Sequence, residues 1–120
     1  MPGLKTVRLE LARNPEFPEG SASHGYEFKA PLDDEGHLDG EGWKQFRQLC
    51  TVRRFWGGGT DEVGLLVRLP GGRWVFSYAP GDEDDEAIFR FDRHRFVPGE
   101  YVSITEHDGD QRTFKVVAVR

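Results

Sequence analysis

The stretch from Ile88 to Val119 restricts the fold more than any other part of the chain. Tyr101-Val102-Ser103-Ile104-Thr105 and Thr113-Phe114-Lys115-Val116-Val117-Ala118-Val119 are rich in β-branched and aromatic residues. Between them lies Asp108-Gly109, a dipeptide that accepts the left-handed conformation a tight hairpin turn requires. Upstream, Ala87 to Phe91 reads as another strand and Val97-Pro98-Gly99 as a turn. Period two on that strand predicts Phe89 and Phe91 inward, with Ile88 and Arg90 on the opposite face. A chain ending this way is committed to antiparallel β architecture.

The same period recurs earlier. Thr6 to Ala12 sets Val7, Leu9 and Leu11 on one face, and Gly25 to Ala30 does the same with Tyr26, Phe28 and Ala30. Asn14 to His24, with Pro15, Pro18 and Gly20, reads as a loop. Thr51 to Trp56 is a short strand ended by Gly57-Gly58-Gly59. Val63, Leu65, Val67 and Leu69 alternate, Pro70-Gly71-Gly72 turns the chain, and Trp74, Phe76 and Tyr78 alternate on the way back, which makes a hairpin. One segment has helical spacing instead: Trp43, Phe46, Leu49 and Cys50 share a face of a short helix near 42–50, with Asp39 as its N-cap. The expected fold is mainly β (α+β) and a single domain over residues 1–120. It is a strongly curved antiparallel sheet or small β-barrel of about eight strands, with the helix over one end, because so many strands must protect their edges.

A chain of 120 residues is long enough for one domain with its own core. Its aromatic content of 12% is too high for a disordered chain. The net charge of −5 counts against a dedicated nucleic-acid binder. Residues 51–120 nonetheless hold ten Lys/Arg against twelve Asp/Glu, and five of those acids fall in the run Asp82–Glu86, so a basic surface is compatible with the balance. The run lacks the ligand spacing and central glycine of a calcium loop and reads as a solvated hairpin tip. Cys50, the only cysteine, excludes an intrachain disulfide and reads as a small buried hydrophobe. The first residues show no apolar signal region, and no apolar run approaches the ~20 residues of a membrane span. The expected address is the cytoplasm, without a membrane partner.

No nucleophile elbow, phosphate loop or dinucleotide fingerprint occurs, and Gly57-Gly58-Gly59-Thr60 is a flexible turn. Arginine and aromatic residues do cluster in Arg53-Arg54-Phe55-Trp56, Arg73-Trp74 and Phe89 to Phe96. On a strand the two classes fall on opposite faces, so a solvated arginine face over an aromatic core explains much of this pattern. The functional alternative is a binding surface of Arg54, Trp56, Trp74, Tyr78, Arg90 and Arg93, which would hold a small anionic or aromatic ligand, or a peptide. His24, His37 and His107 read as solvated loop or turn residues. His94 stands between two arginines that disfavour its protonation, so it is the candidate catalytic base, with Asp92 or Glu100 to orient it. The histidines and carboxylates show no metal-ligand spacing, and no metal or cofactor is expected.

Phe96-Val97-Pro98-Gly99-Glu100-Tyr101-Val102-Ser103-Ile104 resembles the Pro-Gly-Gln-Tyr-Val-Ser strand of ferredoxin-reductase-type flavin barrels. Arg112-Thr113-Phe114-Lys115 matches their flavin-holding Arg-x-Tyr-Ser/Thr motif in part, with phenylalanine for tyrosine and lysine for the hydroxyl residue. The whole chain also resembles a group of small bacterial proteins without an assigned activity, through Glu16-Phe17-Pro18-Glu19-Gly20-Ser21, Arg54-Phe55-Trp56-Gly57 and Pro98–Ile104. That resemblance implies a stand-alone bacterial domain and no particular chemistry.

The functional expectation is a non-catalytic binding module for a small molecule or a protein partner. A nucleic-acid-binding β-barrel, using aromatics and a basic groove, is the first alternative. A small enzyme with His94 as general base is the second.

Overall fold

The computed structural model describes residues 3–78, 85–88 and 91–120. Among them eight strands follow in chain order: β1 (Leu4–Leu11), β2 (Ser21–Pro31), β3 (Thr51–Trp56), β4 (Glu62–Leu69), β5 (Arg73–Ser77), β6 (Glu86–Ile88), β7 (Tyr101–Thr105) and β8 (Gln111–Val119). Each pairs antiparallel with the next, and β8 closes on β1, so the sheet is a closed up-and-down barrel. Closure removes the unpaired edges that an open sheet of this size would expose. One helix, α1 (Gly40–Phe46), interrupts the series between β2 and β3. No helix among the described residues is long and apolar enough to cross a membrane.

Residues directly opposite each other in an antiparallel pair share a face. Val7 faces Phe28 and Leu9 faces Tyr26 across β1 and β2, and all four are buried. That rule decides which face of β4 is inward. Leu66 lies opposite Phe76 and Arg68 opposite Trp74, so the inward row of β4 is Glu62, Gly64, Leu66 and Arg68. Val63 is 63% exposed and heads the outward row, which continues through Leu65, Val67 and Leu69. The large aromatics of β5 outweigh the aliphatic alternation of β4 and set the register. On β6, Ile88 is opposite Trp74 and buried, not outward. Phe89 and Arg90 lie outside the described residues, and Phe91 reaches the core from a 3₁₀ turn, Phe91–Arg93, where a strand was expected.

Two glycines let the strands coil tightly. A Cβ at Gly25 would collide with the Leu9 carbonyl oxygen of β1, and one at Gly64 with the Ser77 carbonyl oxygen beside β4. Only glycine permits such close backbone approach. Strand β2 begins at Ser21, earlier than expected, so the first loop ends at Gly20.

In an up-and-down barrel the connections alternate between the two ends. Residues 32–50, 70–72 and the segment entering β7 lie at one end, and residues 12–20, 57–61 and 106–110 at the other. The first is closed by α1. Trp43 is buried there, donates its indole N–H to the Leu66 carbonyl at 3.0 Å, and meets Trp74 edge-on at 5.0 Å between ring centroids. Phe91 and Phe96 complete the plug, 4.9 Å apart. The helix stops at Phe46, short of the expected 42–50 span, and Leu49 is 55% exposed. One turn suffices to seat Trp43, so nothing holds Leu49 against the barrel. Asp39 occupies the N-cap position without a side-chain capping bond.

Candidate functional site: a buried polar layer

The second end of the barrel is built differently. Along most strands the inward row finishes, at this end, in a polar residue. The β3 row Val52, Arg54, Trp56 is opposed to Tyr26 on β2 and Glu62 on β4. Tyr78 continues the β5 row of Trp74 and Phe76, and Glu86 opens the β6 row that continues in Ile88. Glu106 extends Val102 and Ile104 past β7, and Arg112 heads Phe114 and Val116 on β8. The result is a layer of ionisable side chains above the aromatic core.

Glu86 and Glu106 lie at its centre, 0% and 2% exposed. The Tyr26 hydroxyl bridges them, 2.6 Å from Glu106 Oε2 and 3.0 Å from Glu86 Oε1. Tyr78 donates its hydroxyl to Glu86 Oε1 at 2.7 Å. The backbone N–H of His107 donates to Glu86 Oε2 at 3.1 Å, and His107 Nδ1 lies 3.0 Å from the same oxygen. With Nδ1 as the donor to Glu86, Nε2 is turned toward Glu62 Oε1, 3.9 Å away. Arg54 donates to Glu106 Oε2 through Nε at 3.1 Å and Nη2 at 2.9 Å. Arg112 donates to Glu106 Oε1 at 2.8 Å and reaches Asp108, Asp110 and Glu16. Trp56 lies between the two cations, its ring centroid 4.3 Å from Arg54 Cζ and 5.5 Å from Arg112 Cζ.

Burial raises the Glu86 carboxyl above its ordinary range, against the opposing pull of Tyr78, His107 and Arg54, and Glu106 adds repulsion. Burial also raises Tyr26, helped by Glu86 and Glu106, and Tyr78, helped by Glu86 and Glu62 against Arg54. Burial works against the charge of Arg54, yet Tyr26 and Glu106 outweigh it and hold the guanidinium above its usual value. His24 is lowered by burial and by Arg54. The Cys50 thiol, at the other end of the barrel, is pushed by burial up to about 11, which keeps it in the thiol form at neutral pH.

Of the six residues expected to form one binding surface, the five that are described do not all come together. Arg54, Trp56 and Tyr78 belong to the polar layer, while Trp74 is core packing toward the helix end. Arg90 lies outside the described residues, and Arg93 is exposed on the 3₁₀ turn. His94 follows that turn, half-buried, its ring 6.2 Å from Phe96. The strand-like spacing that would align it with Asp92 is replaced by 3₁₀ geometry. Asp82, Glu83 and Asp84 of the acidic run lie outside the described residues, whereas Glu86 is a buried strand residue and no part of a solvated tip. His107 is anchored on Glu86, where a solvated turn residue was expected. Phe55 faces outward and is covered by Arg8 and Arg53, 4.4 and 5.2 Å from its centroid. Arg112, which the flavin-barrel resemblance would assign to flavin, is engaged by carboxylates.

Glu62, Glu86 and Glu106 were missed by sequence reasoning. For Glu106 a faint signal exists, since it stands two residues after Ile104; for Glu86 the phase expected of its strand, with Ile88 outward, pointed the wrong way.

No family model, curated protein or solved structure matches the chain. The class is therefore defined by geometry: a closed eight-stranded antiparallel barrel, one end plugged by a helix and the other capped by a buried ionic layer.

Proposed function

We propose that the protein is a non-catalytic binding module whose recognition surface is the rim of the polar end, and that it takes a cationic ligand: an organic amine or the basic side chains of a peptide. One observation carries this reading. Among the described residues, four rim carboxylates, from Glu16, Glu62, Asp108 and Asp110, share with the buried Glu106 just two arginines, Arg54 and Arg112. An incoming cation meets acceptors with spare lone pairs, whereas an anion meets guanidiniums already engaged. The buried ions also cost folding energy that apolar residues would not, which favours a functional reason for their presence. The aromatic edge of Trp56 adds a flat apolar surface beside the carboxylates.

Calorimetric titration with putrescine, arginine amide and a lysine-rich peptide, set against a nucleotide and a sugar phosphate, tests the proposal. The expected result is binding of the cations only, weakened by salt and by Glu62→Gln. Preference for the anions, or no binding of any cation at low salt, overturns it.

A further inference from the structure

We infer that Glu86 is held as an un-ionised carboxylic acid that donates its proton to Tyr26 Oη, making the polar end a one-proton store that a rise in pH discharges. A count of hydrogens leads there, whatever the rim binds. Tyr26 Oη lies within hydrogen-bond distance of two carboxyl oxygens, yet a phenol owns a single proton. Its donation goes to Glu106 Oε2, the shorter contact at 2.6 Å. The 3.0 Å approach to Glu86 Oε1 then sets lone pair against lone pair unless a second proton is present.

Glu106 is the poorer place for that proton. Its Oε2 accepts two N–H bonds from Arg54 and its Oε1 one from Arg112, so its negative charge is matched. Among the described residues no guanidinium comes within hydrogen-bond distance of Glu86: Arg54 Nε is 3.6 Å from Oε2. The neutral acid uses every contact it has. Its Oε1 gives the proton to Tyr26 and accepts from Tyr78, and Oε2 accepts from the backbone N–H and Nδ1–H of His107.

The charged and titratable groups facing Glu86 come from every side. They are Tyr26 on β2, Arg54 on β3, Tyr78 past β5, and Glu106 and His107 past β7. Glu62 of β4 reaches the group through Arg54 and His107, and Arg112 of β8 through Glu106. Asp85, beside it in sequence, has one buried oxygen, Oδ1, without a partner among the described residues. The buried side chains of β1, Val7, Leu9 and Leu11, are apolar. Discharge at high pH leaves Tyr26 able to serve one carboxylate only, and draws Arg54 from Glu106 toward Glu86.

Carbon-detected NMR of protein labelled at the glutamate carboxyl carbons tests this. At neutral pH one glutamate is expected at the protonated position, absent in Glu86→Gln and moving to the ionised position on alkaline titration. Two results overturn the inference: every glutamate ionised at neutral pH, or a protonated signal that survives in Glu86→Gln and so belongs to another residue. Should the variant fail to fold, through-bond correlation of the signal to the backbone of residue 86 in the unaltered protein separates the same two outcomes.

Discussion

Replacing Glu86 with glutamine should flatten the pH dependence of stability. The glutamine amide can donate its two hydrogens to Tyr26 and to a rotated Tyr78, while its oxygen accepts both bonds from His107. The layer therefore survives, at a cost of about 1 kcal/mol for imperfect geometry. The sign follows from burial, which raises the folded-state carboxyl above its unfolded value. Below the ordinary glutamate range, about 4.3, both states carry the proton and the contribution of Glu86 is complete. As pH rises, the unfolded chain releases the proton first and the folded state does not, so stability falls by about 1.4 kcal/mol per pH unit. The fall ends once pH passes the folded-state value. Within that window each pH unit costs the native protein about 1.4 kcal/mol that Glu86→Gln keeps, roughly 5 °C in Tm for a domain of this size. Urea unfolding of both proteins across acid to neutral pH measures this directly, since titrations common to both cancel in the difference. A flat difference curve, or one in which the variant loses stability faster on the alkaline side, refutes the reasoning.

Three further outcomes are expected. Arg54→Met leaves Glu106 buried with only Arg112 to balance it and should cost about 3–5 kcal/mol by urea unfolding, far more than loss of an exposed pair. Trp43→Ala removes the plug against Trp74 and the bond to the Leu66 carbonyl, for about 3–5 kcal/mol, whereas Leu49→Ala should change stability by less than about 0.5 kcal/mol. Asp108 is held below the ordinary carboxylate range first by the Asp110 N–H and then by Arg112. It stabilises the β7–β8 turn above that range and loses the effect in acid, so Asp108→Asn should lower the neutral-pH melting point slightly and leave the acid one unchanged.

Strand existence was legible because period two is strong wherever β-branched and aromatic residues alternate, as in Thr6–Ala12 and Tyr101–Thr105. The inward face of β4 was not legible because both of its faces look tolerable from sequence: aliphatics on one, Glu62, Gly64 and Leu66 on the other. Only pairing with Trp74 and Phe76 decides between them. The polar layer was illegible for a related reason. Its members come from seven strand ends distributed between Tyr26 and Arg112, and each alone looks like an ordinary surface residue or turn. Barrel closure brings them together, and closure is a property of the ring of pairings rather than of any segment. Arg54 and Trp56, both candidate binding residues, share the inward row of β3, but their neighbours Glu86 and Glu106 were hidden by an acidic run and a turn.

Amide chemical-shift mapping of the ¹⁵N-labelled protein during titration with a lysine-rich peptide tests the central claim most directly. The account predicts shifts at Trp56, Glu62, His107 and Arg112, suppressed by salt and absent with a nucleotide. Shifts confined to the outer groove around Tyr101 and Val117, or to α1, would contradict it.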